Sequence, residues 1–482
     1  MSAMPNSPAL TSLSPAEAHR VASDAGRRWS STPLRDRLRA ISRLRAQLVE
    51  QADEVAKASP RPAAEFLASE LIPLVEACRF LERRAERLLR PKRIGRRGRP
   101  AWLRGVRSEI IRQPLGAVLV IAPSNYPLFL PGVATLQALA AGNAVVLKPG
   151  QGGKWAADAL AANLPDAVVQ VLDDSPETGH LALGCGFDKV LFTGSAATGR
   201  KVLTEAARSL TPATLELSGC DLVLVLPGAD LDRAAKAIAF GLALNGGCTC
   251  IAPRRLLVPR SMEADLITAL RFALETRPHA VLDAVTARKL KRLVGDGQPA
   301  IGGFGANGIF KPAVFTDLPN DHPLASADIF APVALIQAYN DLDTAIDLAN
   351  RCPYKLGASV FGALGAARAA ARQLQVCNVS LNDLIVPTAD PRLPFPARGE
   401  SGFGVTRGAE GLLALTRPKV IASRGGKWLP HLDPPSPGDA DLLTGYLQLT
   451  HGAKLRDRLA GLGRLKHALK NRNTKKTNRL ES

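Results

Sequence analysis

Gly116-Ala117-Val118-Leu119-Val120-Ile121, then the run Leu128 to Ala141, then Ala144-Val145-Val146-Leu147-Lys148, decide the fold class of this chain. The region is broken by Ser124-Asn125-Tyr126-Pro127 and by Gly142-Asn143, so it reads as strand, loop, helix, strand and not as a membrane span. The alternation goes on. Trp155 to Asn163 is a helix and Val168 to Leu172 a third strand. Lys189 to Thr193 is a fourth strand, Ala197 to Ser209 a helix, and Thr214 to Leu217 a fifth strand. Strands alternating with helices predict an α/β fold with a parallel, doubly wound sheet. Ligands of such sheets bind at the carboxyl ends of the strands. A second alternating segment runs from Leu222 to about Ser423, with strands at Leu222–Leu226, Arg255–Val258, Val333–Ala338, Ser359–Phe361 and Val379–Leu381. Its helices fall at Asp232–Leu244, Met262–Thr276 and Thr344–Asn350. Upstream, Ser14-Pro15-Ala16-Glu17 opens a helical pattern that continues to Arg90, broken near Ser59-Pro60-Arg61-Pro62.

The 482 residues are 46 % apolar and 22 % charged, the balance of a soluble globular protein. Seven scattered cysteines do not form a disulfide framework and point to a reducing compartment. Metal-type CxxC pairs and HExxH are absent, so no metal site is expected. Met1 to Glu17 lacks the basic and apolar regions of a signal peptide, and the expectation is a cytoplasmic protein. The net charge of +19 is unevenly placed. A basic run spans Arg83 to Arg107, and His451 to Ser482 carries ten Lys/Arg against two acids. Such surfaces attract anionic partners. Aromatics are only 5 % and no RNA-binding signature accompanies the basic runs, so no specific nucleic acid is expected.

Leu244-Asn245-Gly246-Gly247-Cys248-Thr249-Cys250 places two cysteines on a glycine-rich break. Backbone N–H groups on such a turn favour a thiolate and can hold an oxyanion. Two small buried residues beside a turn would look the same. Thr193-Gly194-Ser195-Ala196-Ala197-Thr198-Gly199 is strand, turn and helix start, an arrangement suited to a phosphate, although a plain turn fits equally. Glu216 lies in an apolar strand, where a carboxylate needs a partner or a raised pKa unless it faces solvent.

Together these residues resemble the aldehyde dehydrogenase superfamily over roughly residues 15–423. The resemblance is carried by Asn125 in Pro-x-Asn-Tyr-Pro, Lys148-Pro149, Phe192-Thr193-Gly194-Ser195 with Gly199, and Leu215-Glu216-Leu217-x-Gly219. It continues in Asn245-x-Gly247-x-x-Cys250 with Arg254, Ile329-Phe330-x-Pro332-Val333, and Pro394-Phe395 followed by Glu400-Ser401-Gly402-Phe403-Gly404. It implies two doubly wound domains plus a small β oligomerisation segment, and oxidation of an aldehyde to an acid with NAD or NADP. Cys250 is the implied nucleophile. Asn125 and the Cys250 N–H are the implied oxyanion donors, and Glu216 the implied activator of water. Cofactor contacts are implied for Pro123, Ser124, Lys148, Gln151, Gly194, Ser195, Gly199, Leu217, Asp328 and Phe330. The implied division is a terminus at 1–14, a helical part at 15–94 and a bridging segment at 95–113. An NAD(P)-binding domain at 114–218, a catalytic domain at 219–410 and an oligomerisation strand at 411–425 follow, then a tail at 426–482. A homodimer or homotetramer is implied as well.

Departures from the family pattern matter. Cys248 stands where Gln is usual, beside the nucleophile, where it could be oxidised or could protect its neighbour. Ser124 replaces Trp, and Cys220 replaces Lys. Gln151 replaces an acid that would bind ribose hydroxyls and repel a 2′-phosphate; with Lys154 nearby, NADP is admitted as well as NAD. Asp328 is shorter than the usual Glu. Leu172-Asp173-Asp174-Ser175-Pro176 replaces a Gly-rich turn, and the stretch from Cys250 to Asp328 is shortened. In the tail, Leu455, Leu459, Leu462, Leu465 and Leu469 form one apolar stripe amid Lys and Arg. That is a basic amphipathic helix suited to an anionic membrane surface through 451–472, although Gly461 and Gly463 weaken it. A helix packed on its own enzyme or a disordered tail fits the same residues. The membrane reading leans the substrate toward a fatty or carotenoid-type aldehyde and the location toward the membrane periphery. The alternative is a catalytically impaired relative that binds lipid or nucleic acid through its basic surfaces.

Overall fold

A computed structural model of the chain describes residues 13–478 apart from 104, 163, 166, 426–428, 433 and 437. The expectation for residues 1–14 therefore falls outside the described residues except at Leu13 and Ser14. Ser14 starts the first helix, Pro15–Ser31, through a reciprocal capping box. Its hydroxyl accepts the Glu17 N–H at 3.4 Å, and the Glu17 carboxylate accepts the Ser14 N–H at 3.1 Å. The buried face of this helix is small (Ala18, Ala22, Ala25, Gly26), so it lies close on the first sheet. A Cβ on Gly26 would come within 3.3 Å of the Ala144 Cβ. Trp29 closes the contact, its Nε1 donating to Leu139 O at 2.9 Å.

Helices Leu34–Glu50 and Ala52–Ala58 follow, and the prolines at 60 and 62 break the pattern as the sequence predicts. The chain resumes with Ala63–Phe66, one π-helical turn at Leu67–Leu71, and Ile72–Leu89. Glu70, within the π turn, is fully buried. Its Oε1 pairs with Arg61. Its Oε2 accepts from the Leu128 N–H at 2.7 Å and the Phe129 N–H at 2.9 Å. These are the first amides of the helix Phe129–Ala141, whose own N-cap, Leu128, provides no side-chain acceptor. Gly142, left-handed at φ 96°, ends that helix. Asn143 then ties its end to Leu115 and Gly116.

The first sheet has the order Gly402–Phe403, Ala213–Leu217, Lys189–Gly194, Ala117–Ile121, Ala144–Lys148, Val169–Val171. The five strands read from the sequence are parallel. The sixth runs antiparallel and sets Gly402 opposite Glu216. The second sheet has the order Ala280–Val281, Ile309–Phe315, Val333–Tyr339, Pro253–Pro259, Asp221–Val225, Gly357–Phe361, Asn378–Leu381, with Ile301–Phe304 paired to Ile309–Phe315. Three of these strands lie outside the sequence reading. Their stretch is rich in glycine and reads locally as loop, but its Gly302 allows the two strands to meet: a Cβ there would lie 2.0 Å from Pro312 O. Helices Pro176–Leu183, Ala284–Val294 and Leu364–Ala371 are likewise additions. The segment 172–176 is a capped helix start, with the Ser175 hydroxyl accepting the Thr178 N–H at 3.2 Å.

The described residues of 93–109 and 421–478 form a separate compact unit. They contribute to a three-stranded sheet in the order Lys92–Ile94, Val106–Pro114, Thr416–Arg424. The unit also holds two helices, Asp439–His451 and Leu455–Asn478, packed on each other. The single amphipathic helix expected at 451–472 is thus one arm of a helical pair. The arms cross at glycines: a Cβ on Gly445 would lie 2.9 Å from Gly461 O, and one on Gly461 2.8 Å from Gly445 O. Gly461 weakens a lone helix, but here it lets two backbones touch. The expected stripe splits, with Leu462 and Leu465 half-buried and Leu455, Leu459 and Leu469 exposed, as are Leu443 and Leu447 on the other arm. No helix among the described residues is long and apolar enough to cross a membrane.

Removing one member of a buried ion pair costs about 3–5 kcal/mol. Glu70→Ala should lower stability by that amount in urea unfolding. Glu70→Gln, which still accepts an N–H, should lose clearly less. Equal losses would mean that bulk rather than charge and capping is what the position requires.

Candidate active site

The nucleophile loop is built by three consecutive left-handed residues, Asn245, Gly246 and Gly247, at φ 51°, 59° and 81°. Gly247 admits no other residue, since a Cβ would lie 2.4 Å from Pro332 N. Buried Arg254 clamps the turn, donating to Gly247 O and to Ala331 O. It thereby joins the nucleophile loop to the Ile329-Phe330 loop. Glu65 fixes the other side, accepting from the Asn245 N–H at 3.0 Å. Asn245 in turn donates to Asn125 O at 2.8 Å, and Asn125 Nδ2 to Cys248 O at 2.8 Å. The Tyr126 and Thr249 hydroxyls meet at 2.7 Å. The Asn125 and Cys250 loops, more than a hundred residues apart in sequence, are one hydrogen-bonded unit.

Cys250 Sγ lies 3.8 Å from Glu216 Oε1 and is placed to donate to it. Burial pushes the Cys250 thiol well above its ordinary range, the carboxylates of Glu216 and Asp221 add to this, and the Arg407 guanidinium opposes it. Burial also raises Glu216, against the attraction of Arg407 and the Cys250 hydrogen bond. Both groups therefore resist ionisation, and a proton moving from sulfur to carboxylate stays inside a pair. Among the described residues the Cys250 N–H has no protein acceptor. The Asn125 amide spends one N–H on Cys248 O, which fixes its orientation and leaves the second. Cys248 is half-buried, with its thiol 3.9 Å from Phe330 O and thus engaged elsewhere than Cys250.

A cavity of about 360 Å³ opens over Cys250 and Glu216. Its walls include Pro123, Ser124, Asn125, Gly194, Ser195, Leu217, Asp328 and Phe330. At its rim Ser195 caps the helix Ala196–Arg208, accepting from the Thr198 N–H at 3.3 Å. Lys148, Gln151 and Gly199 do not line this cavity. Gly199 lies inside the helix, where a Cβ would meet Leu217 Cδ2 at 2.7 Å. Lys148 Nζ donates to Asp174 O at 3.0 Å, and the Asp174 carboxylate accepts the Gly152 N–H at 2.7 Å. Lys154 is ion-paired with Asp158 at 2.8 Å. An acid thus stands beside Gln151-Gly152, brought from another strand end. Val285, Thr286 and Lys289, on the helix Ala284–Val294, also line the cavity. They escape sequence reading because that helix carries no recognisable motif; Asp174 and Arg407 escape it because their neighbours are distant in sequence.

A cysteine on a strained turn, a carboxylate within reach of its sulfur, two free N–H donors and a cleft ending at a helix N-terminus suit acyl chemistry on sulfur with an anionic cofactor nearby. Comparison with known proteins agrees. Residues 6–421 match the aldehyde dehydrogenase family. The chain is 32 % identical over 414 residues to the 4,4'-diapolycopene aldehyde oxidase of a Methylomonas species, covering 81 % of this chain and 78 % of that protein. It is 33 % identical over 314 residues to the dimeric NADP-preferring aldehyde dehydrogenase of Rattus norvegicus, covering 61 % and 69 %. Among solved structures it is similar to a Mycobacterium tuberculosis aldehyde dehydrogenase complexed with NAD+, with a TM-score of 0.78, 27 % identity, and coverage of 86 % and 90 %. An NADP-dependent glyceraldehyde-3-phosphate dehydrogenase from Bacillus halodurans, complexed with NADP, gives a TM-score of 0.78, 26 % identity, and coverage of 86 % and 92 %.

Proposed function

Because this chain belongs to the aldehyde dehydrogenase family, and so oxidises aldehydes to carboxylic acids with NAD or NADP as acceptor, we propose how its own residues divide that reaction. The contact between Cys250 Sγ and Glu216 Oε1 at 3.8 Å carries the proposal. Glu216 takes the thiol proton as sulfur bonds to the carbonyl carbon. The carbonyl electron pair moves to oxygen, where the Cys250 N–H and the free N–H of Asn125 hold it. The bound cofactor supplies the hydride acceptor. Glu216, once it has released the thiol proton to solvent, removes a proton from water. The water oxygen bonds to the thioester carbon, the C–S bond breaks, and sulfur keeps the electron pair.

The cleft fits the nicotinamide half of a dinucleotide, in the size range of small-ligand sites. Ser195 and the helix start behind it take a phosphate, and Phe330 packs the ring. Pro123, Ser124, Gly194, Leu217 and Asp328 line the approach, while Lys148, Gln151 and Gly199 serve the adenosine end. Asp174 bears on the choice of cofactor. Its carboxylate, beside Gly152, restores the negative charge that Gln151 lacks. A 2′-phosphate there meets repulsion, and Lys154 is already neutralised by Asp158. NAD is the favoured cofactor on this reading.

The similarity to 4,4'-diapolycopene aldehyde oxidase supports an apolar aldehyde of fatty or carotenoid type. The exposed Leu455, Leu459 and Leu469 of the second arm, set among Lys and Arg, support docking on an anionic membrane surface. Assembly as a homodimer or homotetramer uses the segments 95–113 and 411–425; sedimentation as a monomer would sink that part.

Cys250→Ala should abolish aldehyde-dependent NAD(P)H formation across a broad aldehyde panel, and Glu216→Gln, which cannot take the thiol proton, should form its burst of one turnover more slowly, with little after it. Full turnover in either variant contradicts the assignment. Asp174→Asn should improve kcat/KM for NADP about tenfold relative to NAD; an unchanged ratio removes Asp174 from cofactor selection. The whole enzyme should float with phosphatidylglycerol vesicles at low salt, whereas a chain ending at Arg424 should not. Equal flotation of both would rule out the tail as the anchor.

A further inference from the structure

One buried cation near the reacting groups has no role in the steps above. Arg407 joins the strand Val405–Thr406 to the helix Gly408–Ala414 at φ 61° and ψ 176°, a region that glycine enters freely and arginine does not. Only 9 % of the residue is exposed. Its guanidinium lies over two aromatic rings, 4.8 Å from the Phe129 centroid and 4.3 Å from that of Phe395. Its Nη1 donates to Thr388 O at 3.0 Å. Among the described residues no carboxylate comes within the 4.0 Å of an ion pair with it. Ring faces hold a guanidinium without neutralising it, so its charge remains available to act on other groups.

Those groups are the reacting ones. A cavity of about 20 Å³, room for about one water, is lined by both Glu216 and Arg407, and the rest of its wall is uncharged. The charged or titratable groups facing Glu216 are Cys250 from the nucleophile loop, Arg407, and Lys289 and Asp328 across the cleft. Burial disfavours the Glu216 carboxylate, and Arg407 is the strongest opposing influence. Arg407 also faces Cys250 and Tyr126.

We propose that Arg407 is a positioning residue for thioester hydrolysis: clamped by Phe129 and Phe395 beside the small cavity it shares with Glu216, it supplies a fixed positive charge that favours the carboxylate form of Glu216 inside an apolar strand, ready to take the proton of water. The inference rests on Glu216 being the hydrolytic base assigned above. The backbone strain at position 407 fits this role, because glycine would relieve the strain and lose the charge. The step is the one already balanced: water loses a proton to Glu216, its oxygen bonds to the acyl carbon, and the C–S electron pair returns to Cys250.

The test compares the whole enzyme with Arg407→Met, Arg407→Gln and Arg407→Lys, using the aldehyde of the panel that is turned over fastest. Two readings are taken against pH: steady turnover and the rapid burst of NAD(P)H. With the charge removed, the burst should keep its amplitude but form more slowly, while the following phase slows about tenfold at neutral pH and its acidic limb moves up by about one pH unit. Arg407→Lys should keep the limb near that of wild type. Arg407→Gln decides the matter if Arg407→Met does not fold. A folded neutral variant with the wild-type limb overturns the proposal, and so does a Lys variant displaced as far as the neutral ones. Glu216→Gln, run alongside, separates the two ideas: full turnover in that variant removes Glu216 as the base, whereas burst without turnover leaves the Arg407 result to stand or fall by itself.

Discussion

Glu70 holds a charge where there is no water to share it. The residue is 0 % exposed, and its two oxygens are answered by Arg61 and by the N–H groups of Leu128 and Phe129. A carboxylate this deep is strongly penalised unless every partner is in place, so the geometry around it has little freedom. That rigidity reaches the active site in two directions. The Asn125-Tyr126 loop ends where the Glu70-capped helix begins. Arg61 also lies 5.1 Å from the centre of the Tyr126 ring, and Tyr126 meets Thr249 in the nucleophile loop. One turn earlier, Glu65 holds the Asn245 N–H. A single segment, residues 61–70, therefore fixes the oxyanion donor and the nucleophile relative to each other.

The nucleophile loop needs such support because it is strained. Asn245, Gly246 and Gly247 all lie in the left-handed region, and a non-glycine residue pays for that conformation. Arg254, buried and donating to both Gly247 O and Ala331 O, stiffens the turn from below. The result is a thiol that burial makes reluctant to ionise, set against a carboxylate that burial also makes reluctant, with one unneutralised guanidinium in range of both. The chemistry depends on that balance more than on the intrinsic acidity of any one group.

Much of this architecture is legible in the sequence. The five parallel strands of the first sheet and three of the four helices between them, all but Pro176–Leu183, follow from apolar runs of the right length, and the Ser14–Glu17 cap from a local pattern. Ile301–Phe315 is not legible, because glycines that read as loop become strand only when the partner strand is alongside. In the tail the arm Leu455–Asn478 is expected as a helix, but its partner Asp439–His451 is not, and the pairing of Gly445 on Gly461 exists only once the two arms are packed.

What the sequence by itself determined is the list of reacting groups and their backbone settings. Cys250 on a glycine turn, Asn125 after a strand and Glu216 within one are each marked by their immediate neighbours, and local conformation depends on local residues. What only the tertiary structure decided is the field those groups feel. Arg407 reaches Glu216 across 191 positions of chain, Asp174 comes beside Gly152 from another strand end, and Glu65 bonds Asn245 from 180 positions away. Burial and electrostatic coupling depend on distance in space, which no stretch of sequence contains until the two sheets and the helices over them have closed.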